Sequence, residues 1–171
     1  DHLCTALAEV NKKRFESSLE TGASVIDNMW VANSLKSGVE YGANETTKGT
    51  FLSGNPQTKL ENYIGVDAWQ QADGAKPYWE AKQYLLISKI KLQVEATIHT
   101  AFKNDGRVSI ARVYEDLKAA PFGFLPCNLT AFVMGFVLKE YIDGTYSWSD
   151  GLTNDALTVA KLKEMVAEVI S

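Results

Sequence analysis

The chain has 171 residues and a mass of 18.9 kDa, with 46% hydrophobic and 22% charged residues. That is enough for the core of one domain, or of one domain and a smaller helical companion. The formal net charge of -4 and a pI near 5.2 exclude an overall electrostatic attraction to nucleic acid or to an anionic membrane. Cys4 and Cys127 are the two cysteines. They are too few and too far apart for a disulfide framework or a zinc site, and they fit a reducing cytoplasm. Asp1 to Val10 lacks the basic start and apolar core of a signal peptide. The chain does not begin with Met, so a piece excised from a longer protein is expected, although processing leaves the same start.

Leu3, Leu7 and Val10 are spaced for a helix that continues through Phe15 and Leu19 and ends at Thr21-Gly22. Val25, Ile26, Met29, Trp30 and Leu35 suggest a second helix, stopping near Gly38. Gly38 to Gly54 is rich in Gly, Thr and Asn and poor in apolar residues, the composition of a long loop. Its run GANETTKGT fails the phosphate-loop pattern, because a Gly follows the Lys instead of preceding it. Leu60, Tyr63, Ile64 and Trp69 mark a further short helix or turn.

Pro77 fits the start of a long helix running to Lys103, with Ile87, Ile90, Val94, Ile98 and Phe102 as one stripe. Asn104-Asp105-Gly106 ends it. Arg107 to Ile110 reads as a short extended piece. Ser109 caps a helix running to Ala119, with Val108 and Val113 placed as a hydrophobic staple. The uncharged stretch PFGFLPCNLTAFVMGFVL, Pro121 to Leu138, comes next. It is close to the length of a membrane span, which needs about 20 apolar residues. Its prolines and the spacing of Leu129, Phe132, Val133, Phe136 and Val137 instead predict a turn followed by a buried core helix. Thr145 to Trp148 alternates small polar with aromatic residues, as a half-exposed strand does, and Asp150-Gly151 turns the chain. Thr158 caps a last helix, with Leu157 and Leu162 as its staple.

The predicted fold class is mainly α. Residues 77–171 form a winged-helix-like domain, a three-helix cluster with a small β wing, and residues 1–76 form an N-terminal helical and loop segment. Winged helices often bind DNA through the second helix of the motif's pair, which carries Arg, Lys, Asn or Gln into the major groove. Here that helix is the uncharged one, and its polar residues are Asn128 and Thr130, with Lys139 at its far end. Lys89, Lys91, Lys103, Arg107, Arg112 and Lys118 are scattered and answered by acidic neighbours. Duplex affinity needs clustered cations. The candidate nucleic-acid contacts, Arg107, Arg112 and Lys118, therefore belong to an alternative reading.

Catalysis has less support. His2 and His99 are the two histidines. Glu95 and His99 share a helix face without the companions of a metal site. Cys127 sits near a helix start among Phe, Leu and Pro, where a free cysteine is core. Glu115 and Asp116 point apart on their helix. No catalytic residue, metal site or cofactor is assigned. Tyr141, Tyr146 and Trp148 flank the end of the uncharged helix and the wing, and aromatics are enriched at interfaces. They are the candidate interaction residues.

The run RVSIARVYEDLKAAPFGFLPCNLTAFVMGFVLKEY, Arg107 to Tyr141, resembles a segment of very large bacterial P-loop ATPases similar to those of BREX-type phage-defence systems. Leu117, Pro121, Phe122 and Gly123 carry the likeness, and Ala120 stands where that family has the first proline of a pair. The resemblance implies an accessory module of a longer ATPase. This sequence has no nucleotide-binding motif, so ATPase activity is not implied for it. The expected function is protein docking or regulation within a larger bacterial cytoplasmic protein, with another protein or another domain as partner and no membrane. DNA binding by the winged helix is the alternative. An enzyme with its site in the 38–54 loop is the third reading.

Overall fold

The computed structural model describes residues 76–126 and 128–170, together with Ala6 and Val10. Apart from Ala6 and Val10, both helical, the helices expected before Gly38 lie outside the described residues, as do the 38–54 loop, the Leu60 to Trp69 region and Cys127. Five α-helices and one β-ribbon lie within 76–170 among the described residues. They are α1 (Tyr78–Ala81), α2 (Leu86–Asp105), α3 (Ile110–Lys118), α4 (Asn128–Leu138), β1 (Ser147–Ser149), β2 (Asn154–Ala156) and α5 (Val159–Ile170). A 3-10 turn, Lys139–Tyr141, extends α4. The region is mainly helical with a small two-stranded antiparallel sheet. No helix among the described residues is long and apolar enough to cross a membrane.

The single long helix expected from Pro77 is two helices. Lys82 leaves the helical region at φ -127°, ψ 55°, and Leu85 is extended at φ -68°, ψ 141° before α2 begins. The reason is angular. At about 100° per residue, an unbroken helix would set Tyr78 roughly 180° away from Ile87. The break lets both reach one core. Tyr78 packs against Phe136 at 5.5 Å between ring centroids and edge-on against Trp79 at 5.0 Å. At the other end, α2 stops as expected. Gly106 takes a left-handed conformation at φ 67° and its N–H returns to the Phe102 carbonyl.

Arg107 to Ile110, read as a short extended piece and so as a short strand, is not a strand: Ile110 already begins α3. It pairs with no other strand among the described residues. Ser109 is extended and its Oγ accepts from Arg112 N at 3.1 Å, the predicted cap of α3. Val113, Tyr114 and Leu117 are buried, with Val108 and Ile110 packed beside them. The Pro121–Phe124 turn closes through Phe122 N and Gly123 N to the Ala119 carbonyl and Phe124 N to the Leu117 carbonyl. It inserts Phe122 and Phe124 into the core. Gly123, at φ 67°, makes the turn possible.

Pro126 suits a first helical turn by its sequence, but among the described residues α4 runs from Asn128 and Pro126 lies before it in a bend. Thr130 Oγ1 donates to the Leu125 carbonyl and ties the approach to the helix. Every residue from Ala131 to Leu138 is buried. The core gathers around this run: α2 packs on α1, α3 and α4, and α5 covers α3 and α4. The ribbon register pairs Ser147 with Ala156, Trp148 with Asp155 and Ser149 with Asn154. Its turn is held by the Asp150 carboxylate, which accepts from Leu152 N and Thr153 N at 2.8 and 2.7 Å. Thr158 caps α5 through Lys161 N, and Leu162 and Val166 face the core.

Candidate interaction groove and a caged lysine

A groove of about 1270 Å³ runs between the ribbon and the helices. One wall is the C-terminal end of α2, the loop after it and the start of α3. β1 and its flanking turns line the groove as well, and α5 contributes Met165 and Val169. Its aromatic residues form a chain. Phe102, 41% exposed, meets Tyr146 edge-on at 6.0 Å. Tyr146 meets Tyr141 at 4.8 Å. The Tyr141 hydroxyl donates to Glu95 Oε2 at 2.7 Å. Burial, and then that bond, hold the Tyr141 phenol above its ordinary 10.0. Trp148 is half-buried, with the Lys161 ammonium 4.0 Å from its ring centroid, a cation–π contact.

Tyr141, Tyr146, Trp148, Arg107 and Arg112 all line this groove. The structure thus brings together both sets of sequence candidates, with one exception. Lys118 lies elsewhere, bound to Glu115 at 2.6 Å and set over the Tyr114 ring. Arg112 is bound to Asp116 at 3.2 Å. Arg107 is exposed and has no ion pair among the described residues. Glu115 is exposed and Asp116 buried, so the two carboxylates point apart as expected. Glu95 engages Lys91 and Tyr141, and His99 is exposed. No group of three potential metal ligands occurs among the described residues.

Sequence reasoning missed one centre. Lys91, counted above among scattered cations, is fully buried. Its Nζ donates to the Val137 carbonyl at 2.6 Å and to Glu140 Oε2 at 2.9 Å, and it lies 2.5 Å from Glu95 Oε1. The rings of Trp79 and Tyr141 cover it at 4.6 and 5.2 Å. Two carboxylates, a carbonyl at the end of α4 and two aromatic faces therefore replace the water that a buried ammonium loses. The signal was present: Lys91 follows Ile87 and Ile90 and precedes Val94 and Ile98 on the buried stripe of α2. Glu140 lies in the turn after α4, too distant in sequence to be read as its partner.

No family model matches the chain, and neither a curated protein nor a solved structure is significantly similar to it.

Proposed function

We propose that this chain is a protein-docking module of winged-helix-like architecture, acting within a larger bacterial cytoplasmic protein. The order α2, α3, α4 and ribbon supports the architecture, with α4 in the place of the reading helix. The observation that carries docking over DNA is the burial of α4. From Ala131 to Leu138 it has no exposed side chain to set against a base edge. Arg112 and Lys118 are each held by a carboxylate, which leaves them less available to phosphates. The half-exposed aromatic groove offers a surface for another polypeptide instead. The place in a defence-type ATPase rests on the resemblance at Leu117, Pro121, Phe122 and Gly123. The surrounding gene tests it: a P-loop upstream in the same reading frame is the expected outcome, and a self-contained short reading frame overturns it.

A salt-dependent titration against duplex DNA tests the functional reading. No binding at micromolar protein is expected at low salt, where phosphate contacts are strongest. Micromolar binding that weakens with salt, and that Arg107→Ala and Arg112→Ala remove, overturns it.

A further inference from the structure

We propose that the groove takes an extended segment of another polypeptide, which adds as a strand to the free edge of β1. This inference rests on the docking reading and specifies its ligand.

The ladder itself identifies the free edge. Leu157 N donates to the Tyr146 carbonyl at 2.9 Å and Asp150 N to the Thr153 carbonyl at 3.3 Å. Hydrogen-bonded and non-bonded pairs alternate along an antiparallel ladder. The bonded pairs are therefore Tyr146 with Leu157, Trp148 with Asp155, and Asp150 with Thr153. The N–H and C=O groups of Ser147 and Ser149 point away from β2. All of β1 lines the groove, whereas β2 contributes Asn154 alone. The unpaired edge of β1 thus borders the groove.

The loop before α3, which also lines the groove, has unpaired backbone groups as well. Ser109 is extended at φ -89°, ψ 148°. Among the described residues, the backbone groups of Arg107 and Val108 make no hydrogen bond. Unpaired edges of this kind are templates for a further strand. A helix has no free backbone groups along its body and cannot satisfy them. An extended chain offers N–H and C=O to one side at every second residue, about 6.6–6.8 Å apart, the spacing of Ser147 and Ser149. The groove's volume, about 1270 Å³, exceeds the roughly 300–1,000 Å³ of small-molecule pockets. Alternate side chains of the segment meet Phe102, Tyr146 and Met165, which calls for apolar residues at those positions. Arg107, without an ion pair among the described residues, calls for a carboxylate on the segment opposite it.

The test selects linear random peptides displayed on phage against the full chain, then measures affinity of the enriched peptides and amide exchange at β1. The expected peptides alternate apolar and polar residues, include Asp or Glu, and slow exchange of the Ser147 and Ser149 amides. Ser147→Pro removes an outward N–H without touching the ladder, and it is expected to weaken binding tenfold or more. Ala156→Pro, on the other edge of the ribbon, is expected to leave it within twofold. The exchange measurement uses the unaltered chain and does not depend on either variant folding. Peptides that bind, lose affinity with Phe102→Ala and leave both amides unprotected overturn strand addition while docking at the groove stands. No enriched peptide, or binding indifferent to every groove substitution, overturns both.

Discussion

Lys91 shows how far a single side chain can depart from its composition class. A lysine on a helix is ordinarily solvated, yet this one lies with Ile87, Ile90 and Val94 on the buried face of α2. Removing one member of such a cluster is more harmful than replacing it with an apolar residue of similar length. Lys91→Ala is expected to cost about 2–4 kcal/mol in urea denaturation. Lys91→Met is expected to cost about 1 kcal/mol, because Glu95 and Glu140, 35% and 31% exposed, can regain water. Asp150 gives a second prediction at this scale. The N–H groups of Thr153 and Leu152 hold its carboxyl below the ordinary 3.8. A depressed carboxylate contributes stability that is present above the ordinary value and lost as pH falls through the lower one in the folded state. The Leu152 and Thr153 amide signals should therefore stay fixed down to about pH 4 and move below it. In Asp150→Asn that movement should vanish. A transition at neutral pH would contradict this account.

At the scale of elements, what is local was readable. Ser109 and Thr158 cap α3 and α5 as their positions before apolar runs require. Ser109→Ala is expected to cost about 1 kcal/mol in thermal or urea unfolding, the usual value of an N-cap. The turn at Gly106, the turn at Asp150-Gly151 and the buried run of α4 were legible for the same reason: each is decided by neighbours a few residues away. The division of α2 from α1 was not. Helical periodicity is strong on both sides of Lys82 to Leu85, and only the position of Phe136 in space makes a bend there useful to Tyr78. The loop Arg107–Ser109 has strand-like composition and an extended cap residue, but a strand exists only with a partner, and none stands beside it among the described residues.

At the scale of the described region, α4 is the most deeply buried element, packed between α2 and α5. Phe136 is fully buried there and meets Tyr78 on one side. Phe136→Ala is expected to cost about 3–5 kcal/mol, measured by denaturant midpoint, since the core has α1, α2 and α5 fixed around it and cannot close the void. The sequence by itself determined the helical class, the caps, the turns and the buried character of α4, because periodicity and local hydrogen bonding act over one or two turns of chain. It also named five residues of the groove, Arg107, Arg112, Tyr141, Tyr146 and Trp148, since aromatics and arginines near a ribbon are recognisable as types. Only the tertiary structure decided that Arg107, Arg112, Tyr141, Tyr146 and Trp148 share one groove while Lys118 does not. It alone placed Lys91 beside Glu140 and left one edge of β1 open. Cavities, buried ion clusters and unpaired edges are relations between segments remote in sequence, and packing creates them.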